Sequence, residues 1–255
     1  MPDDGPKVIP AATLVVFRKG AQGEEAPELL FVQRASAMRF AGGATVFPGG
    51  RVDPADRELA RQLDLDAPLE MTTARVAAIR ETLEETGLAL GIRQNPSAEE
   101  ARAARALLLE DGRLAPVLER MGWTLAPERL TFFAHWCPPW DGAFDTRFFV
   151  TDLGTGAVDV TVDATENTRL FWASAQGALA MAARDEIGLI FPTRRNLERL
   201  AHYGSHAATL AALRHIAPQR ISPRIEQRPE GEFLVIPADQ GYPVLEEPRE
   251  TAQRG

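Results

Sequence analysis

The first part of the chain alternates strand-sized apolar runs with polar and glycine-rich connections. Residues 11–17 (AATLVVF) and 28–34 (ELLFVQR) are short β-branched or apolar runs, which predicts two strands. The stretch between them is rich in Gly and Glu, which indicates an exposed loop. Residues 39–56 are dense in glycine and proline, so we expect this backbone to bend sharply or to approach another group closely.

The hydrophobic period changes from strand-like to helical over residues 72–90. Apolar positions recur there at spacings of three and four, which predicts a helix with one buried stripe formed by Val76, Ile79, Leu83 and Thr86. Thr72 or Thr73 can cap its start, and Gly87 is placed to end it.

The remaining pattern predicts more helices and strands, interleaved without a regular repeat. We expect strands at 129–136, 145–152 and 168–173, and helices at 98–109, 114–121, 174–184 and 191–215. A hairpin is predicted around 229–231. This order of elements indicates the mixed α/β class.

Composition narrows the classes of function. The 255 residues carry a formal charge of −8, and this acidic balance disfavours a nucleic-acid-binding protein, which needs clustered Lys and Arg. No apolar run approaches the ~20 residues that span a bilayer, and the acidic N-terminus does not resemble a secretory signal. A single cysteine favours a reducing compartment. We therefore expect a cytoplasmic globular protein that contacts neither nucleic acid nor membrane.

Three carboxylates near the end of the predicted helix carry the first chemical signal. At about 100° per residue, Glu81, Glu84 and Glu85 fall on one face and repel one another. The helix macrodipole also disfavours anions at this end. A hard divalent cation bound through these oxygens would compensate both effects, and the glycine-rich turn upstream offers backbone N–H groups to a phosphate. The alternative interpretation is a solvated acidic face.

The same residues resemble a known sequence motif. From Arg80 to Leu88 the chain is similar to the second half of the Nudix box, R-E-U-x-E-E-x-G-U, in which U is aliphatic and Thr82 is the one departure. Gly50 matches the box glycine, and Asp56 stands where the family has Glu. The spacing between Asp56 and Arg80 exceeds that of the family, so the resemblance implies an insertion of about residues 57–79 inside the box.

A second motif narrows the resemblance to one branch. Coenzyme A-directed Nudix hydrolases carry L-L-T-x-R-(S or A)-x3-R-x3-G-x3-F-P-G-G, and residues 30–50 fit this pattern except at Phe31 and Val32. The stretch 144–150 (FDTRFFV) is also similar to the acyl-CoA diphosphatase branch. The resemblance covers roughly residues 8–205.

The resemblance implies a fold and a domain arrangement. It predicts an α/β/α sandwich with a mixed central sheet and extra helices, in a Nudix domain of residues 7–217. Residues 218–255 would form a C-terminal extension that contains the hairpin. Two roles stay open for this extension: it closes over the core, or it mediates a homodimer.

The resemblance also implies roles for the matching residues. Glu84 and Glu85 would be the principal metal ligands, and Glu81 would share the cation or act as the general base on the attacking water. Arg80 would hold the glutamates by ion pairing. Glu166 would be an additional ligand or base, or else an ordinary loop carboxylate.

Candidate substrate contacts follow from the second motif and its surroundings. Arg34 and Arg39 would meet phosphates in a bidentate manner, or else be solvated arginines beside a strand. Gly49 and Gly50 would approach a phosphate through the backbone. Trp136 would stack on adenine or line an acyl channel, or else pack in a loop.

The implied activity is hydrolysis of the diphosphate in coenzyme A or an acyl-CoA with Mg²⁺ or Mn²⁺. The products would be adenosine 3′,5′-bisphosphate and (acyl-)4′-phosphopantetheine. Two other hypotheses stay open: a Nudix pyrophosphatase acting on ADP-ribose or NADH, and a non-catalytic nucleotide-binding Nudix module. The three glutamates disfavour the module, because a binding surface does not need carboxylates that repel one another.

Overall fold

Strands and helices interleave along the chain in the computed structural model, which describes residues 5–20, 26–35, 42–63, 66–153 and 167–252. The first part comprises β1 (Ile9–Arg18), β2 (Glu28–Arg34), β3 (Thr45–Val46), β4 (Gly49–Arg51), α1 (Pro54–Gln62), α2 (Leu69–Thr86), α3 (Ala98–Asp111) and α4 (Leu114–Met121). The middle comprises β5 (Thr131–Trp136), β6 (Phe144–Asp152), β7 (Asn167–Ala173), α5 (Ala175–Ala183), α6 (Phe191–Tyr203) and α7 (His206–Leu213). The last part comprises β8 (Arg220–Ile221), β9 (Arg224–Arg228), β10 (Gly231–Val235), β11 (Glu246–Pro248) and α8 (Arg249–Ala252).

The central sheet is mixed and has β1 near its middle. The strand order is β3-β2-β1-β6-β5-β8, with β4 also paired to β1 and β7 also paired to β2. β1 runs parallel to β6 but antiparallel to β2 and β4. The predicted mixed α/β class and mixed sheet are confirmed.

Helices cover both faces of this sheet because the buried strands alternate two apolar faces. Leu14 and Val16 of β1 pack with α2, α3 and α4 in the core on the α2 side. Val15 and Phe17 pack with α5 and α6 in the core on the α6 side. The result is the layered α/β/α arrangement that the resemblance implied.

Helix α2 carries the predicted stripe, but it starts earlier than its caps suggested. Pro68 is the N-cap, and its carbonyl accepts from the Thr72 N–H, so Thr72 lies inside the helix. The helix ends at Gly87, whose φ of 75° is left-handed, as the sequence predicted. The preceding helix α1 was not predicted, although Asp53 and Asp56 form its capping box.

Two further differences concern the C-terminal part. The predicted helix 191–215 is divided, because Gly204 ends α6 with a φ of 73° and Ser205 caps α7. The hairpin around 229–231 is present as β9 and β10, and β11 adds a third strand. Among the described residues, no helix has the length and hydropathy of a bilayer-spanning segment.

Candidate active site

The last turns of α2 pack against the glycine turn that leads into β4. The Gly49 N–H donates a hydrogen bond of 2.9 Å to Glu85 Oε2. A Cβ on Gly50 would lie 2.5 Å from the Glu81 carboxyl carbon, and one on Gly49 would lie 2.3 Å from the Ala12 carbonyl oxygen. The close backbone approach predicted for this segment is confirmed. We call Glu81, Glu84 and Glu85 the glutamate triad.

Arg80 links the triad to the helix before it. Its side chain is 4% exposed, and its Nε and Nη2 donate to the two Asp56 oxygens at 2.9 and 3.0 Å. Nη1 donates to Glu84 at 3.2 Å, and Nη2 lies 2.9 Å from Glu81. Nη2 also donates to the Arg51 carbonyl at 2.9 Å. One buried guanidinium therefore fixes two of the three glutamates relative to β4.

Asp56 occupies the box position where the family has Glu, and the structure shows what it contacts. Its carboxylate is 1% exposed, pairs with Arg80 in a bidentate manner and accepts the Asp53 N–H at 2.9 Å. Asp56 therefore orients Arg80 from α1, and within the described part of the chain its carboxylate contacts Arg80 and the Asp53 N–H rather than the triad.

The electrostatics of the triad favour a cation. Burial is the main cause that raises the pKa of Glu81, to about 8, and the neighbouring charges of Glu85 and Glu84 add to it. Arg80 acts in the opposite direction but does not cancel these effects. Burial alone would lower the pKa of Arg80, but the hydrogen bond with Asp56 and the charge of Glu81 raise it. The neighbouring carboxylates therefore disfavour the ionised form of Glu81, an effect that a bound cation would offset.

Helix α3 supplies a contact that the sequence analysis missed. Arg105 is 9% exposed and donates from Nε to the Glu84 carbonyl at 2.8 Å and from Nη2 to the Glu85 carbonyl at 3.3 Å. It places a positive charge at the C-terminal end of α2, where carbonyls lack partners within the helix. Arg105 lies on the buried stripe of Ala101, Ala104 and Leu108, and an arginine on such a stripe was the available signal.

The chemistry of the triad fits a hard divalent cation. Within the described ranges, no three His, Cys, Asp or Glu side chains already converge as ligands. The donor set is nevertheless composed of carboxylate oxygens on one helix face, which are the ligands that a hard divalent cation prefers.

The predicted substrate contacts have different outcomes. Gly49 and Gly50 lie against the triad, as described above. Arg34 is the last residue of β2, and its Nε is buried without a hydrogen-bond partner among the described residues. Arg39 and Glu166 lie outside the described residues. The Gly49 N–H donates to Glu85, so a phosphate contact there would require this hydrogen bond to open.

The predicted substrate contact of Trp136 is wrong. Trp136 is 1% exposed and lies in the core on the α6 side, on the opposite face of the sheet from the triad. Its Nε1–H donates to the Tyr242 hydroxyl at 3.1 Å, and its ring meets Phe191 and Tyr242 edge to face. A ring enclosed in this way cannot stack on a substrate.

Comparisons with known proteins agree with this geometry. No family model matches the sequence. The fold is similar to that of a NUDIX hydrolase from Alicyclobacillus acidocaldarius, with a TM-score of 0.68, 28% identity, and coverage of 81% of this chain and 96% of that chain. The chain belongs to the Nudix hydrolase superfamily. This Nudix protein is also 26% identical to the acyl-coenzyme A diphosphatase NUDT19 of Gallus gallus, over 95% of this chain and 82% of that protein.

Membership of the superfamily confirms the coarser predictions. The chain is a Nudix diphosphatase, an enzyme of a superfamily whose members act on small-molecule diphosphates.

Proposed function

We propose that this Nudix enzyme hydrolyses the diphosphate linkage of coenzyme A or an acyl-CoA with bound Mg²⁺ or Mn²⁺. The observation that carries the proposal is the contact between the triad and the glycine turn. Glu85 accepts the Gly49 N–H, and Gly50 leaves room for the Glu81 carboxylate. The turn is the end of the coenzyme A-type pattern and the triad is the end of the Nudix box, so the two motifs meet in space.

The choice of coenzyme A among diphosphates is supported by two observations. The pattern of residues 30–50 fits the coenzyme A-directed signature at all but two positions. The NUDT19 protein, which is 26% identical to this chain, is named an acyl-coenzyme A diphosphatase. ADP-ribose and NADH share the diphosphate but have neither observation in their favour.

The triad would hold the cation, with Glu84 and Glu85 as principal ligands and Glu166 as an additional one. Nudix hydrolases generally use divalent metal ions. When bound, such an ion neutralises diphosphate charge and lowers the pKa of a coordinated water. Glu81 would share the ion or accept a proton from the attacking water.

The surrounding residues would position the reacting groups. Arg80 restrains Glu81 and Glu84 through contacts of 2.9 and 3.2 Å, so the carboxylates do not have to be ordered when substrate binds. Arg34 and Arg39 would meet the diphosphate through their guanidinium groups. Water would attack phosphorus, and the leaving phosphate would depart as adenosine 3′,5′-bisphosphate or as (acyl-)4′-phosphopantetheine.

A substrate panel tests the proposal. The purified protein is incubated with CoA, several acyl-CoAs, ADP-ribose and NADH, each with Mg²⁺ or Mn²⁺ and each with EDTA, and products are separated by chromatography. We expect CoA compounds to be cleaved with the higher kcat/KM, and EDTA to abolish cleavage. Cleavage of ADP-ribose or NADH while CoA compounds stay intact would contradict the proposed substrate.

A further inference from the structure

A row of paired residues crosses the sheet from the glycine turn to its far edge. Gly50 on β4 pairs with Ala12 on β1, which pairs with Arg147 on β6. Arg147 pairs with His135 on β5, which pairs with Arg220 on β8. Paired residues project to the same face of a sheet, and Ala12 belongs to the core on the α2 side. The two arginines and the histidine therefore share the face of the glutamate triad.

A β-bulge in β5 brings His135 to this face. Phe132 packs on the α2 side, and the register between β5 and β6 shifts between Phe132 and Ala134. Beyond the shift, Ala134 belongs to the core on the α6 side, so His135 projects back to the α2 side. Because side chains alternate between the two faces, Trp136 then projects to the α6 side.

The row carries a surplus of positive charge. Arg147 Nη1 lies 3.6 Å from Asp145 Oδ2, longer than a hydrogen bond, and no hydrogen bond joins its guanidinium to another described residue. Arg220 is exposed and donates from Nη2 to Cys137 Sγ at 2.8 Å. Burial alone would raise the pKa of the Asp145 carboxyl group, but its contact with His135 and the charges of Arg147 and Arg220 lower it. Among the described residues of this row, one carboxylate therefore faces two guanidinium groups. An anion is the ligand that this arrangement attracts.

The spacing of Arg147 from the glycine turn suits a second anionic group of one substrate. Neighbouring strands are about 4.8 Å apart, so β6 lies roughly 10 Å from β4 across the sheet. The Arg147 side chain is 17% exposed, which leaves its unused donors accessible from solvent. A phosphate one sugar away from the diphosphate can therefore reach Arg147 while the diphosphate lies at the triad.

We propose that Arg147, with Arg220 beside it, binds a phosphate monoester on the substrate ribose and selects substrates that carry one. This proposal rests on the proposed function, because coenzyme A has a ribose 3′-phosphate whereas ADP-ribose and NADH lack a ribose phosphate monoester. Arg147 would then be the residue that separates coenzyme A compounds from those other diphosphates.

A binding measurement tests the proposal without any turnover. Adenosine 3′,5′-bisphosphate and adenosine 5′-monophosphate differ by the one phosphate in question, and their Kd values are measured by calorimetry on the full chain. We expect the bisphosphate to bind about tenfold or more tightly. Arg147→Gln should remove most of this difference, and Arg147→Lys, which keeps the charge but loses the planar fork, should retain part of it.

Arg93 provides the matched control. It is an exposed arginine whose described ion-pair partner is Glu128, and Arg93→Gln should leave both Kd values unchanged. Equal binding of the two nucleotides by the unaltered protein would overturn the proposal. So would an equal loss of affinity for both nucleotides in Arg147→Gln.

Kinetics with CoA and 3′-dephospho-CoA provide the second readout. In the unaltered protein we expect the ratio of the two kcat/KM values to favour CoA by about tenfold, mainly through KM, and Arg147→Gln should reduce that ratio toward one. An unchanged ratio in the variant would overturn the proposal. If neither compound is hydrolysed, the proposed function fails, and the nucleotide-binding comparison still decides the role of Arg147.

Discussion

Individual side chains at the site are held by contacts that leave little freedom. Arg80 is the central example, since a guanidinium that is 4% exposed meets Asp56, Glu81 and Glu84 at once. Truncating one partner of a buried ion pair costs far more than removing an exposed one, because the remaining charge stays desolvated. The contribution of each contact therefore depends on burial as well as on distance.

Comparing Asp56→Asn with Asp53→Asn tests which of the two carboxylates is the main partner of Arg80. We expect a loss of about 3 to 5 kcal/mol in the free energy of unfolding, together with reduced kcat/KM, because Arg80 loses its bidentate partner. Asp53 lies 3.7 Å from Arg80 and its side chain is 52% exposed, so Asp53→Asn should cost less than about 1 kcal/mol. Urea denaturation measures both. Equal losses would contradict the assignment of Asp56 as the main partner.

Gly50→Ala tests the space that the glycine turn leaves for the triad. The added methyl would lie 2.5 Å from the Glu81 carboxyl carbon, so that carboxylate must move. We expect kcat/KM to fall by about tenfold or more, with the free energy of unfolding changed less than the activity. Gly177→Ala in α5, where the methyl meets Ser174 Oγ at 3.0 Å, is the control and should retain activity. Full activity in Gly50→Ala would show that Glu81 need not keep its place.

At the scale of elements, the end of α2 is supported by α1 and α3. Arg105 from α3 donates to the carbonyls of Glu84 and Glu85, which the helix itself leaves without partners. The support matters because three like charges on one face destabilise this end of the helix.

Arg105→Gln should therefore lower both stability and activity. We expect about 1 to 3 kcal/mol less free energy of unfolding, since buried carbonyls lose donors, and a several-fold lower kcat/KM. Arg102 is an exposed arginine on the same helix, and Arg102→Gln should change neither quantity measurably. Thermal denaturation and steady-state kinetics on the pair provide the comparison. Identical stability and activity of the two variants would contradict the supporting role assigned to Arg105.

Elements with a strong period were predictable, and contacts between distant elements were not. The stripe of Val76, Ile79 and Leu83 indicated α2, because apolar residues on a buried helix face recur every three or four positions. The Arg80–Asp56 pair depends on α1, a nine-residue and mostly polar helix that was not predicted. The burial of Trp136 was not predictable, because the bulge in β5 changes the strand parity without any sequence signal.

At the scale of the whole molecule, the C-terminal segment contributes to the same core as the Nudix sheet. Leu234, Ile236 and Tyr242 belong to the core on the α6 side. The Tyr242 hydroxyl accepts from Trp136 Nε1 at 3.1 Å and donates to Asn196 at 2.7 Å. Apart from Arg220, we therefore expect residues 218–255 to be needed for folding and to act on the site only through stability.

Tyr242→Phe tests this interpretation and the structural role of Trp136 together. Loss of the hydroxyl should cost about 1 to 3 kcal/mol of unfolding free energy and leave kcat/KM unchanged. Burial raises the pKa of Tyr242 to about 12, whereas the unfolded side chain titrates near its ordinary value of 10. The unfolded state thus loses its proton first, so stability should fall as pH rises between about 10 and 12. That fall should be smaller in Tyr242→Phe, as measured by denaturation at several pH values, and an equal fall would contradict the assignment.

The central claim is that the triad on α2 performs cation-dependent hydrolysis of a diphosphate. The most direct measurement is kcat/KM for CoA with Mg²⁺ in Glu84→Gln, beside Glu110→Gln as an exposed control on α3. The Glu84 substitution keeps the shape of the side chain and removes a ligand charge, so we expect at least a hundredfold lower kcat/KM. Because Glu84 is partly exposed, the unfolding midpoint should fall much less than in Asp56→Asn. Undiminished turnover in Glu84→Gln would contradict the account.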